Sequence, residues 1–130
     1  MLVTIDTSAI IAVVGNEARK ARMIELTQGG QLVAPLSVHW EIGNAFSAMF
    51  KRKSIALPVA QQALEAYKMI PIRLIDVQLE RALVLSHRFN IYAYDAYLLQ
   101  CAEQTNSHLL TLDRNLLLVA QQMGISTLEV

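Results

Sequence analysis

Residues 108–124 read HLLTLDRNLLLVAQQMG. HLLTLD is a short apolar run of the kind that forms a strand. RNLLLVAQQM has the spaced apolar residues of a helix, and Gly124 ends it. ISTLEV (125–130) then reads as a last strand. An acid, Asp113, stands where strand gives way to helix. Upstream, IYAYDAYLLQCA (91–102) predicts a helix with Asp95 on the face of Leu98, Leu99 and Ala102. That face should meet the core, where a lone carboxylate is costly unless it is paired or bound to metal.

The same alternation runs through the chain. LVTI (2–5) predicts a strand, and Asp6, Thr7 or Ser8 could cap a helix over AIIAVV. NEARKARMIELTQGG (16–30) fits an amphipathic helix, with Ala21, Ile24 and Leu26 inward and Gly29-Gly30 as its stop. QLVAP predicts a strand and SVHWEIGNAFSAMFKRK a helix capped by Ser37. LPVAQQALEAYKMI is a helix with Pro58 in its first turn. IRLIDV is strand-like and QLERALVLSHRFN helical. Strands and helices intermingled in this way predict an α/β fold, a parallel sheet covered on both faces by helices.

A chain of 130 residues fits one domain. Its 11 basic and 11 acidic residues leave no overall positive field, so a nucleic-acid partner would need a local patch. The single cysteine, Cys101, excludes an intrachain disulfide, and a reducing cytosol is the expected home. Its place in an apolar helix predicts packing. The start MLVTIDTSAII lacks the basic segment of a secretory signal. The longest apolar run, AIIAVV, is far short of the ~20 residues of a membrane span.

VTID (3–6) and LTLD (110–113) echo each other, each a strand ending in Thr-apolar-Asp. Ligands of open α/β sheets bind outside the carboxyl ends of strands, where Asp6 and Asp113 both fall. Alternation places Thr4 with Asp6 and Thr111 with Asp113. Glu41 shares a helix face with Asn44, Ala45 and Ala48. Each Asp taken singly reads as a helix N-cap, and Glu41 as a solvated residue. The pattern counts because all four fall where one pocket could form, each in a largely apolar segment. Four carboxylates brought together would repel by several kcal/mol, about 4 per pair at 4 Å and an effective dielectric near 20. A divalent cation would remove that repulsion. Mg²⁺ and Mn²⁺ favour carboxylate and water oxygens. Zinc is disfavoured, because His39, His87 and His108 show no ligand spacing and there is no cysteine pair.

VTIDTSAII, EIGNAF, YDAYLLQCA and LLTLDRNL, in this order and spacing, resemble the PIN-domain ribonucleases, specifically the VapC-type toxins of bacterial toxin–antitoxin pairs. The resemblance covers essentially the whole chain. It implies a three-layer α/β/α sandwich around a five-stranded parallel sheet. It also implies an acidic quartet of Asp6, Glu41, Asp95 and Asp113 that holds Mg²⁺ or Mn²⁺ and catalyses RNA hydrolysis. Ser8, Asn44 and Thr111 match supporting positions. Many members read T-x-D-x-D-F where this chain has TLDRNL, so Asn115 replaces a possible fifth carboxylate and a second metal is in question. The resemblance further implies a homodimer, a small antitoxin partner, and DNA contact only through that antitoxin. Lys51, Arg52, Lys53 and Arg114 are candidates for RNA contact, and Arg19, Lys20 and Arg22 form another basic cluster. A basic run at a helix C-terminus also simply complements the dipole. Met23, Phe46 and Phe50 are candidates for partner surfaces or for core.

Rival classes fit less well. A receiver domain would need an acidic pair after the first strand and a late lysine, but Thr7 follows Asp6 and no lysine follows Lys68. A DxD phosphatase would need an acid where Ser8 stands. A non-catalytic RNA-binding or scaffold domain of the same fold is the remaining alternative, although a degenerate copy would be expected to have lost an acid.

Overall fold

The computed structural model describes residues 1–15 and 17–130, so Asn16, where the helix expected over 16–30 would begin, lies outside the described residues. Five strands are present, β1 (Leu2–Ile5), β2 (Gln31–Pro35), β3 (Ile72–Ile75), β4 (His108–Leu110) and β5 (Thr127–Leu128). Seven helices are seen among the described residues. They are α1 (Thr7–Val14), α2 (Lys20–Thr27), α3 (Ser37–Lys51), α4 (Leu57–Lys68), α5 (Leu79–Phe89), α6 (Ala93–Thr105) and α7 (Arg114–Gln122). All strand pairs are parallel, in the order β3-β2-β1-β4-β5.

The α/β class and the five-stranded parallel sheet are therefore as expected. Successive strand residues point to opposite faces, and the buried residues divide accordingly. Val3, Ile5 and Leu110 pack with α1, α2, α3 and α4 through Ile10, Met23, Ile42 and Ala63. Leu109 faces the other way and packs with α5, α6 and α7 through Leu85, Leu99 and Leu116. The sheet is thus the middle of three layers. Crossovers of constant hand demand this division. The chain steps from β1 to β2 to β3 in one direction, then returns across β1 to β4 and β5. When the direction reverses, the connecting helices change face.

That reversal leaves a crevice between the carboxyl ends of β1 and β4, whose connections depart in opposite directions. Such a switch point is where open α/β sheets bind ligands. Asp6 follows β1 and Asp113 follows β4 at this place.

Several local expectations need correction. Leu26 packs against the core as expected, but its fully buried companion on α2 is Met23, 1 % exposed, whereas Ile24 is 50 % exposed and Ala21 is exposed too. This eight-residue helix rests against α1 with Met23 and Leu26 turned to the core. Phe46 is buried with Met23, so neither is available to a partner; Phe50 is partly exposed. Ser37 does not cap α3, since Leu36 is the N-cap and makes no side-chain bond. β4 ends at Leu110 rather than at Asp113, and β5 spans two residues. α7 stops where expected, with Gly124 at φ +74° beyond its C-cap, a conformation glycine adopts without steric cost.

Candidate active site

Asp6 is a buried carboxylate, 4 % exposed, at the mouth of the crevice. It is the N-cap of α1, and its Oδ1 accepts from Ala9 N–H at 3.0 Å and from the Ser8 hydroxyl at 2.7 Å. Its Oδ2 accepts from the Thr111 hydroxyl, across from β1. Both oxygens are therefore fixed. Thr111 Oγ1 in turn accepts from Asp113 N–H at 3.0 Å, and Ser8 Oγ accepts from Leu112 N–H at 3.2 Å. Two hydroxyls thus tie the β1–α1 turn to the β4–α7 turn.

Asp113 is the N-cap of α7, with Oδ1 accepting from the N–H groups of Asn115 at 2.9 Å and Leu116 at 3.2 Å. It is exposed, and Oδ2 makes no protein hydrogen bond among the described residues. Asp95 lies in the first turn of α6, half-buried, while Leu98, Leu99 and Ala102 on its face are buried. Among the described residues its carboxylate accepts no hydrogen bond. Glu41, in the second turn of α3, accepts from the Ser37 hydroxyl at 3.4 Å.

Electrostatics links the four. Burial first, and the charge of Asp113 after it, raise Asp6 above the ordinary carboxylate range, against the lowering effect of its hydrogen bonds. Burial, then the charge of Asp6 and more weakly that of Asp95, push Glu41 up to about 7; the Ser37 hydroxyl opposes this. Burial, then Asp113 and Asp6, raise Asp95. The four acids are neighbours in charge, contributed by α1, α3, α6 and α7. They do not form a ready-made ligand shell, as no group of three or more His, Cys, Asp or Glu among the described residues is arranged to hold an ion as it stands.

The residues fit a hard divalent cation by donor type, all carboxylate and hydroxyl oxygen. The Thr7 hydroxyl, next to Asp6, is buried without a hydrogen-bond partner among the described residues. His39 is engaged with the Tyr67 hydroxyl at 3.3 Å instead.

Of the supporting residues, Ser8 and Thr111 touch Asp6 directly. Asn44 is exposed one turn beyond Glu41, where its carbonyl accepts from Ser47. Thr4 makes no hydrogen bond to Asp6 and is instead bonded, fully buried, to Ser107 at 2.6 Å and to the buried Cys101, which packs as expected. Arg114 is the first residue of α7, directly after Asp113. Lys51, Arg52 and Lys53 are exposed at the far end of α3, about 15 Å beyond Glu41 at 1.5 Å per residue. Ser37 was missed as a partner of Glu41. Its four-residue spacing within one helix was the available signal.

The model of the PIN domain matches residues 3–122. No curated protein matches the sequence. Among solved structures, PAE2754 from Pyrobaculum aerophilum is similar, with 20 % identity, TM-score 0.74, and 98 % of this chain and 92 % of that one covered. VapBC2 from Rickettsia felis, bound to a DNA fragment from its promoter, matches at 14 % identity and TM-score 0.69, over 98 % of both chains. VapC20 from Mycobacterium tuberculosis, a toxin that cleaves the sarcin–ricin loop, matches at 14 % identity and TM-score 0.64, also over 98 % of both.

Proposed function

The chain belongs to the PIN-domain family, and from that membership we propose that it is a metal-dependent endoribonuclease, the toxin of a type II toxin–antitoxin pair. On this reading residues 1–130 act as a single nuclease domain in the cytoplasm, as a homodimer restrained by a small antitoxin, with DNA reached only through that antitoxin. No helix is long and apolar enough to cross a membrane among the described residues. The observation that carries the reading is Asp6, a carboxylate buried in the switch-point crevice within the field of Glu41, Asp95 and Asp113. The similar folds of VapBC2 and VapC20 support the antitoxin and RNA parts of the proposal.

Asp6, Glu41, Asp95 and Asp113 would hold Mg²⁺ or Mn²⁺. When bound, the ion supplies Lewis acidity, a more acidic water and charge that offsets the phosphate. The chain's own part is orientation. Ala9 N–H, Ser8 and Thr111 fix Asp6, while the Ser37 hydroxyl steadies Glu41. Asp95 sits in the first turn of α6, whose positive end opposes the burial and the charges of Asp113 and Asp6 that raise it. With Oδ1 of Asp113 spent on capping, Oδ2 is the oxygen left to face the crevice.

The test is cleavage of RNA with Mg²⁺ or Mn²⁺, with and without chelator, by wild type and Asp95→Asn. Wild type should cut only with metal. The variant should retain the fold by circular dichroism and lose cleavage by about two orders of magnitude or more. Full activity in a clean preparation of Asp95→Asn contradicts the assignment. Lys51, Arg52 and Lys53 are proposed to contact the strand away from the cut. Replacing all three with Ala should flatten the salt dependence of RNA binding, and an unchanged slope removes them.

A further inference from the structure

Arg19 and Arg114 stand far apart in the sequence and belong to different layers, yet both line one cleft of ≈ 440 Å³. Thr111 and Leu112 lie in its wall, with Gln121 and Glu129 among the other lining residues. Thr111 is also the residue that donates to Asp6, and Leu112 N–H donates to Ser8. The 111–113 turn therefore separates this cleft from the acidic crevice by the thickness of one chain. Both arginines are exposed, and neither takes part in an ion pair among the described residues, where the pairs are Arg22–Glu25, Lys68–Glu65 and Arg81–Glu103.

Arg114 occupies the first position of α7, the positive end of the helix dipole, where a cation is disfavoured. A residue held against a local preference, and unpaired, invites an external partner. Among the lining side chains two guanidinium groups face one carboxylate, that of Glu129, and the last residue, Val130, lines the cleft beside it. A planar guanidinium fork matches phosphate oxygens in a bidentate way. The chain as a whole carries no net charge. A polyanion entering an acidic crevice thus needs a local cationic foothold beside it.

We infer that Arg19 and Arg114 form a subsite for a backbone phosphate of single-stranded RNA adjacent to the phosphodiester at the acidic crevice. The subsite rests on the nuclease reading for the identity of the strand, and its test is binding rather than turnover. Binding of a short labelled single-stranded RNA to the full chain is followed by fluorescence anisotropy over a range of salt, with Ca²⁺ as the divalent ion. Each phosphate contact on a single strand contributes about 0.7 to the slope of log affinity against log salt. Arg19→Gln and Arg114→Gln should each lower the slope by about that amount, and together by about 1.4, with roughly tenfold weaker binding at moderate salt. Lys68→Gln, outside the cleft, should change neither. Replacing single phosphates by neutral methylphosphonates should weaken wild-type binding at one position, and that position should fall silent in the double variant. Arg19→Lys with Arg114→Lys, which keeps the charge, should recover most of the slope.

An unchanged slope in a folded double variant overturns the subsite and leaves the nuclease reading intact. A wild type that binds RNA with the expected arginine dependence but never cuts it leaves the subsite and removes the nuclease reading. A wild type with no affinity for RNA removes both. If the double variant loses affinity only for acidic peptides, the cleft serves a protein and the RNA subsite is wrong.

Discussion

A hydroxyl that accepts from one N–H must aim its own proton elsewhere. Thr111 accepts from Asp113 N–H, and its proton is directed to Asp6. Thr111→Val keeps the shape but strands both partners, so it should destabilise the fold by about 1–3 kcal/mol, whereas Thr111→Ser should cost much less. Urea midpoints of the two variants check this, and equal midpoints would show that the hydroxyl is dispensable. Glu41 yields a prediction in pH. Its folded pKa, about 7, lies above the ordinary 4.5, so the folded chain holds this proton more tightly than the unfolded one. The native state then carries more protons between those values, and stability falls as pH rises through that window. Glu41→Gln removes the penalty. At about pH 8 in chelator the variant should exceed wild type by on the order of 1–2 kcal/mol, after discounting for solvent screening, and should match it near about pH 4. Thermal melts at the two pH values decide it; a Gln variant no more stable at the higher pH means that Glu41 is not under this strain. The acids themselves could be picked out in the sequence, because each interrupts an apolar segment. The Thr111–Asp6 bond could not, since it depends on β4 lying next to β1.

At the scale of elements, α6 supports both a core and a site. Leu99, fully buried, packs against α5, α7 and β4 from the same helix that carries Asp95. Leu99→Ala should cost about 2–5 kcal/mol. The helix ends on Asn106, whose φ of +51° is left-handed. Asn106→Ala should therefore destabilise by about 1 kcal/mol and Asn106→Gly should not, a difference visible in paired denaturant titrations. Strand and helix types were legible from apolar spacing over most of the chain. Strand ends were less so. HLLTLD reads as one run, but after Leu110 the polar groups of 111–113 leave the ladder to bind Asp6 and cap α7. The inward face of α2 was misread in part because short amphipathic segments with few apolar residues admit more than one facing, and tertiary contact with α1 selected Met23.

At the scale of the whole molecule, the strand order β3-β2-β1-β4-β5 brings Asp6 and Asp113 to one crevice. Intermingled elements predict a parallel sheet and the family resemblance implies five strands, but the order that creates the switch point is a property of long-range pairing and was not legible in the sequence. A divalent ion that binds the folded state alone should stabilise it, by about 2.7 kcal/mol at a hundredfold excess over its dissociation constant. Mn²⁺ should therefore raise the melting temperature of wild type and do so much less for Asp6→Asn. An equal rise in both would place the ion elsewhere. The acids are drawn evenly from the two helical layers, Asp6 and Glu41 from one side of the sheet and Asp95 and Asp113 from the other. Each layer supplies one pair, so the proposed centre lies at the seam between them. A slight slip of one hydrophobic half against the other, too small to unwind a helix, would pull the pairs apart. Under mild urea, turnover should thus decay at lower concentrations than helical ellipticity, making catalysis the earliest reporter of how the halves are seated.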